Sequence, residues 1–242
     1  MPKLQNKIAL VTGAGSGIGQ AIARSLMQEG ARVAITGRTL DKLEQTARNL
    51  GGKVLIHAAD VSEPEQVTAM VRRIEKELGS VDILVNNAGL NVKERTFREL
   101  TVETWQKMIR TNLDGAFYCI HAVFPGMLKK KDGVIININS ISGKRAGPLG
   151  GVAYAASKFG MSALGISLAA EEKDSGIRIC NIYPGEVDTP LLDMRPNPVS
   201  VEAKQKILKP EDIAAAVLFV ATLPAHVSIP ELVIKPTTAT YI

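Results

Sequence analysis

Cysteine, runs of like charge and long apolar stretches are all scarce in this chain of 242 residues. The two cysteines, Cys119 and Cys180, both lie inside apolar segments. They exclude a disulfide framework, show no metal-ligand spacing and read as small buried hydrophobes, so no metal site is expected. The net charge is +5, but the lysines and arginines are scattered. The only basic run, Lys129-Lys130-Lys131, suits a solvated helix end, so no nucleic-acid partner is expected. The polar start and the short apolar run Ile8–Val11 do not make a signal peptide. No apolar stretch reaches the length of a membrane span, so no membrane partner is expected and the cytoplasm is the expected location. There is no internal repeat, no low-complexity segment and no linker. With 45% hydrophobic residues, 1–242 reads as a single domain with a sizeable core.

What is present is an alternation of short apolar runs with helical patterns. Strands are expected at Lys7–Val11, Arg32–Thr36, Val54–Ala58, Val81–Val85, Val134–Ile138 and Ile177–Ile182, with an edge strand at Glu231–Ile234. Helices are expected at Gln20–Glu29, Asp41–Leu50, Ser62–Leu78, Val102–Leu128, Tyr154–Lys173 and Pro210–Thr222. Ser62 and Thr101 are the expected caps of two of them. Strands without polar alternation, separated by helices, imply an α/β fold: a doubly wound parallel sheet in three layers, of Rossmann type. The stretch 191–209, with Pro196 and Pro198 among charges, fits no core element and reads as a mobile, substrate-covering lid.

The first strand runs into Thr12-Gly13-Ala14-Gly15-Ser16-Gly17-Ile18-Gly19, and a helix follows. A pyrophosphate needs backbone N–H groups and a helix N-terminus at close range, and glycines clear the approach. The strict G-x-G-x-x-G spacing is not met, because Ile18 stands where its third glycine belongs. The second strand ends at Thr36-Gly37-Arg38. An acid at this place would bind a ribose 2′-hydroxyl, whereas Arg38 suits a 2′-phosphate and so favours NADP(H) over NAD(H). Asp60, with Val61 packing beside it, either reaches the adenine or caps its own loop.

Tyr154 and Lys158 are four residues apart on one expected helix and share a face. A nearby ammonium lowers a tyrosine pKa towards neutrality, where proton transfer is most effective. Ser140 follows the fifth strand directly, at the carboxyl edge where parallel sheets bind ligands. Asn112 lies within a long helix, where Asn is unfavourable, and reads as a helix bend or a surface amide. Asn86-Asn87-Ala88-Gly89 closes the fourth strand as a sharp turn that steadies neighbouring backbone. Tyr183-Pro184-Gly185-Glu186-Val187-Asp188-Thr189 follows the sixth, its backbone and Thr189 suited to a nicotinamide carboxamide.

Together these motifs resemble the short-chain dehydrogenase/reductase family in its compact form. The resemblance rests on Thr12-Gly13 with Gly17 and Gly19, on Asn86-Asn87-Ala88-Gly89, Asn112, Ser140 and Tyr154-x-x-x-Lys158, and on Pro184-Gly185 with Thr189. It implies a seven-stranded sheet and hydride transfer between a nicotinamide and a carbonyl or secondary alcohol. In that scheme Tyr154 is the general acid/base, Lys158 lowers its pKa and holds the nicotinamide ribose, Ser140 orients the carbonyl, and Asn112 holds a relay water. The cofactor contacts then fall to Gly13, Gly15, Ser16, Gly17, Ile18, Gly19, Arg38, Asp60, Val61, Asn87, Ala88, Gly89, Tyr154, Lys158, Pro184, Gly185, Val187 and Thr189. Ile141, Leu149, Val152, Val187 and Leu191 are expected to line the substrate pocket, with Asn91 at its rim.

Two departures from the family pattern stand out. The Ser140-to-Tyr154 gap is one residue longer than in many members and that from Ser142 one shorter, and Ser140 is the expected residue. The tail, Ile229-Pro230-Glu231-Leu232-Val233-Ile234-Lys235-Pro236, lacks the usual glycine-rich ending and is similar to that of NADP-dependent members acting on 3-hydroxy acids and related alcohols. A 3-oxoacyl-thioester reductase and a non-catalytic NADP(H) sensor are the rival readings. Lys144 and Arg145 read as solvated loop charges or as an attraction for an acidic substrate or carrier protein. The resemblance also implies a homodimer or homotetramer built through the two long helices.

Overall fold

A computed structural model describes residues 2–197 and 199–240. The seven strands are β1 Ile8–Thr12, β2 Arg32–Gly37, β3 Val54–Ala58, β4 Ile83–Asn86, β5 Gly133–Ile138, β6 Ile177–Pro184 and β7 Glu231–Ile234. They form one sheet in the order β3-β2-β1-β4-β5-β6-β7, and every neighbouring pair is parallel. The helices are α1 Gly17–Gln28, α2 Leu40–Leu50, α3 Pro64–Glu77, α4 Val102–Ile109, α5 Gly115–Lys130, α6 Val152–Glu171, α7 Val201–Lys206 and α8 Pro210–Ala221.

The strands are apolar throughout because both faces are covered. In β1, Ala9 and Val11 join a cluster with Ile22, Leu26 and Val217 on one side, and Ile8 and Leu10 join Met70, Ile74 and Ile120 on the other. Truncating a fully buried leucine such as Leu10 to alanine removes about 2–5 kcal/mol. The chain leaves β1 towards β2 on one side and returns to β4 on the other. The loops that follow β1 and β4 therefore diverge and open a crevice at the carboxyl edge.

Several local readings change. The helix expected from Ser62 begins at Pro64, whose fixed φ and missing N–H suit the first helical position. The Ser62 hydroxyl instead donates to Asp60 Oδ1 at 2.7 Å. Thr101 does cap α4, accepting from Thr104 N. The long helix over 102–128 exists as α4 and α5 joined by one π-helical turn, Arg110–Asp114, which carries Asn112. Segment 191–209 is more ordered than its composition implies. A 3₁₀ turn occupies Pro190–Met194, and α7, which buries no residue, follows. Pro198 lies outside the described residues. α6 is long and apolar enough to meet the length and composition of a membrane span, a point the sequence reading missed. Here it is a core helix, with Leu164 and Leu168 packed beneath the sheet and Lys158 buried.

Candidate active site

The crevice holds a cavity of about 490 Å³. Its wall is drawn from the turn after β1, the ends of β4, β5 and β6, the start of α6 and the segment after β6.

The turn after β1 is built for close approach. Gly13 has φ +63, and a Cβ there would lie 2.8 Å from Ala88 Cα. Asn87 steadies the turn, donating from Nδ2 to the carbonyls of Thr12 at 2.9 Å and Gly13 at 3.2 Å. The buried Thr12 hydroxyl accepts from the N–H groups of Asn87 and Ala88, each at 2.9 Å. α1 then begins with no side-chain cap and no acid in its first turn. Its N–H groups and positive dipole end are left for an anion. Gly13, Ser16, Gly17 and Ile18 line the cavity, so this cradle fits a dinucleotide pyrophosphate.

Other expected contacts take different places. Gly19 is buried behind the turn, where a Cβ would meet Gly13 O at 2.5 Å, so it permits the turn rather than lining it. Gly15 packs against the stem of Lys42. Ala88 backs the turn through Thr12, outside the cavity wall. Arg38 stands exposed beyond β2 and joins no ion pair among the described residues. Asp60 is occupied within its own loop, accepting from the N–H and hydroxyl of Ser62. Val61 is buried against Gly115 of α5, facing the core rather than a ligand.

Tyr154 and Lys158 share the face of α6 that lines the cavity, together with Ser140. Ser140 Oγ accepts from Ser142 N at 3.1 Å and lies in the cavity wall beside Tyr154. Burial pushes the Tyr154 phenol above its ordinary pKa, while the Ser140 hydroxyl and the charge of Arg95 pull it back. This corrects the expectation that Lys158 supplies the lowering. The Lys158 ammonium lies 5.8 Å from the centre of the Tyr154 ring and donates to Ile138 O at 2.9 Å. Burial brings the Lys158 pKa down to about 8.

Asn112 is fully buried. Its Oδ1 accepts from Leu90 N at 2.8 Å, and its Nδ2 donates to Leu90 O and to Ser157 Oγ. The π turn presents this amide to the chain just after Asn86-Asn87-Ala88-Gly89, so it fixes that turn directly. Such insertions into α-helices are frequent at functional sites.

Of the expected pocket residues, Ile141, Leu149, Val187, Leu191 and Asn91 line the cavity, as do Gly89, Pro184, Gly185 and Thr189. Val152 does not. It is 45% exposed at the start of α6, two residues and so roughly 200° around the helix from Tyr154. Asn91 binds Gly150 O through Nδ2, tying two loops together. Lys144 turns away from the cavity to pair with Glu231 at 2.7 Å, whereas Arg145 lines it.

Sequence reasoning singled out Asn86 only within its turn and missed its partners Asn137 and Asn181. Asn86, Asn137 and Asn181 stand in register on β4, β5 and β6, and their buried amides form a chain: Asn86 Nδ2 to Asn137 Oδ1, then Asn137 Nδ2 to Asn181 Oδ1. The signal was an asparagine recurring inside apolar strands. Arg95 and Arg195 line the cavity without any local motif, and the tail reaches it at Ala239 and Thr240.

The family model for short chain dehydrogenase matches residues 7–198. The chain belongs to the short-chain dehydrogenase family. Among its relatives, an uncharacterised oxidoreductase of Staphylococcus saprophyticus is 39% identical over 98% of this chain and all of its own length. The closed form of a serine dehydrogenase complexed with NADP+ is 35% identical, with a TM-score of 0.89 over 97% of this chain and 96% of that one. An alcohol dehydrogenase of the archaeon Thermococcus sibiricus, complexed with 5-hydroxy-NADP, is 32% identical, with a TM-score of 0.87 over 98% of this chain and 99% of that one. As a member of this family the chain is an oxidoreductase.

Proposed function

We propose that this short-chain dehydrogenase interconverts a carbonyl and a secondary alcohol with NADP(H), using Tyr154 as the acid/base. The observation that carries the proposal is the convergence of Ser140, Tyr154 and Lys158 on one cavity wall, with Tyr154 and Lys158 on the same helix face. Ser140 would hold the substrate oxygen, and Tyr154 would donate its proton as the oxygen gains charge during reduction or take it during oxidation. The bound cofactor supplies the hydride chemistry. Gly13, Ser16, Gly17 and Ile18 would hold its pyrophosphate, and Pro184, Gly185, Val187 and Thr189 would flank its nicotinamide.

Preference for NADP(H) rests on Arg38 past the end of β2 and on Lys42, whose stem lies over Gly15. Lys42 would add a second basic residue beside the turn after β1. Two NADP-type complexes among the similar structures agree with this. Segment 191–209 would act as the substrate cover. Its base is tied by Lys209 to Asp188 at 2.9 Å and by a bridge between Val187 and Leu208. Phe117, Phe159 and Ile166, exposed on α5 and α6, favour self-association through those helices.

The test is a panel of ketones and secondary alcohols followed by nicotinamide absorbance. Turnover with NADPH or NADP+ is expected. Tight NADPH binding with no turnover across the panel would leave the sensor reading in its place.

A further inference from the structure

The substrate half of the cavity carries a fixed positive charge that no carboxylate among the described residues neutralises. Arg95 is 6% exposed, lines the cavity and joins none of the ion pairs among the described residues. Its guanidinium is held by three backbone carbonyls from three separate loops. Nε donates to Val92 O at 2.8 Å, Nη1 to Leu149 O at 2.7 Å and Nη2 to Met194 O. An arginine has five N–H donors, so two remain without a partner among the described residues.

The other charges lining the cavity do not answer Arg95. Glu186 is the only carboxylate in the wall among the described residues, and it pairs with Arg195 at 3.2 Å. Lys158 lies on the nicotinamide side, bound to Ile138 O. Arg145 also lines the cavity, with Nη1 donating to Lys144 O at 3.0 Å. A buried cation held only by carbonyl dipoles bears a desolvation cost that a counter-ion relieves. The three carbonyls fix its plane in advance, which suits two-pronged recognition of a carboxylate.

We propose that Arg95 is the receptor for an anionic group on the substrate, so that the preferred substrate is an oxo- or hydroxy-carboxylate. This rests on the oxidoreductase reading above and names its substrate class. The rival role for Arg95 is to serve Tyr154 alone, as the cation that stabilises the phenolate.

The two roles separate experimentally. Short 2-, 3- and 4-oxocarboxylates are compared with their methyl esters, by kcat/KM with NADPH and by calorimetric binding to the protein saturated with NADP+. The acid of at least one pair is expected to exceed its ester about tenfold or more in both measurements, with the advantage shrinking as salt rises. Arg95→Lys, which keeps charge but loses the fork, is expected to lower the ratio of acid to ester in both measurements, whatever it does to the turnover the two share. Equal values for acid and ester throughout would overturn the proposal. So would equal losses on acid and ester in Arg95→Lys with a displaced pH profile, which is the signature of service to Tyr154. Selective binding of the acid without turnover would support the anion receptor while removing the oxidoreductase reading beneath the substrate assignment.

Discussion

The Lys158 ammonium donates to the carbonyl of Ile138 at 2.9 Å, so the charge on α6 is held by the last residue of β5. This bond and a weak one to Met161 Sδ at 3.7 Å do not repay burial, which brings the ammonium from its ordinary value of 10.5 down to about 8. Between these two values the unfolded chain holds a proton that the folded one has released. Stability from this group is therefore flat below about pH 8 and rises with pH up to about 10.5. The gap corresponds to about 3 kcal/mol. Urea unfolding of wild type and Lys158→Met at pH 7.5 and 10.5 checks it. Wild type should gain about that much relative to the variant, and a constant difference would contradict the buried-charge account.

Tyr154→Phe removes the hydroxyl and keeps the ring that packs at the cavity wall. NADPH affinity, read by fluorescence titration, should change little. Turnover should fall by about 100- to 10,000-fold, the range typical of a positioned proton donor. A rate within a few-fold of wild type would move the acid/base elsewhere.

Gly19 is kept for space, not contact. In Gly19→Ala the new Cβ would meet Gly13 O and Asn87 Nδ2, each at 2.5 Å. The carbonyl is backbone, so the phosphate turn itself must shift. Dinucleotide affinity should fall by about tenfold or more, although residue 19 does not line the cavity. Calorimetric titration of NADP+ into folded variant decides this, and wild-type affinity would show that the turn tolerates the methyl group.

The layered sheet was legible because both-face burial leaves an apolar run in every strand, as at Leu84 and Ile135, and because glycine and proline punctuate the helices. The phosphate turn and Tyr154 with Lys158 were legible because their spacing is local. What remained hidden depends on distant pairing. Asn137 reads as a defect in an apolar strand until β4 and β6 bring Asn86 and Asn181 alongside it. Arg95 has no local signature, since its partners are carbonyls at residues 92, 149 and 194. Val152 was misplaced because proximity in sequence to Tyr154 is not proximity on a helix face. The direction of the Tyr154 shift was misread for a similar reason. Lys158 shares the face, but its ammonium is directed to Ile138 and burial dominates the phenol.

On the proposed preference for NADP(H), choice between the two dinucleotides would turn on the region just past β2. Gly37 leaves no acid there to accept from a ribose 2′-hydroxyl, and Arg38 is exposed with no carboxylate to neutralise it among the described residues. A bound 2′-phosphate would gain a charge-assisted contact that an NAD ribose cannot offer. Arg38→Asp replaces attraction by repulsion towards the phosphate and supplies an acceptor for the hydroxyl. The KM for NADPH should rise by about tenfold or more while that for NADH falls, with kcat on the better cofactor nearly kept because residue 38 is outside the cavity wall. Lys42→Ala should weaken NADPH binding less, since its stem packs on Gly15 and only its ammonium is free to approach the phosphate. If both variants keep their NADPH-to-NADH ratio, discrimination does not reside at the end of β2, and the preference for NADP(H) loses its support.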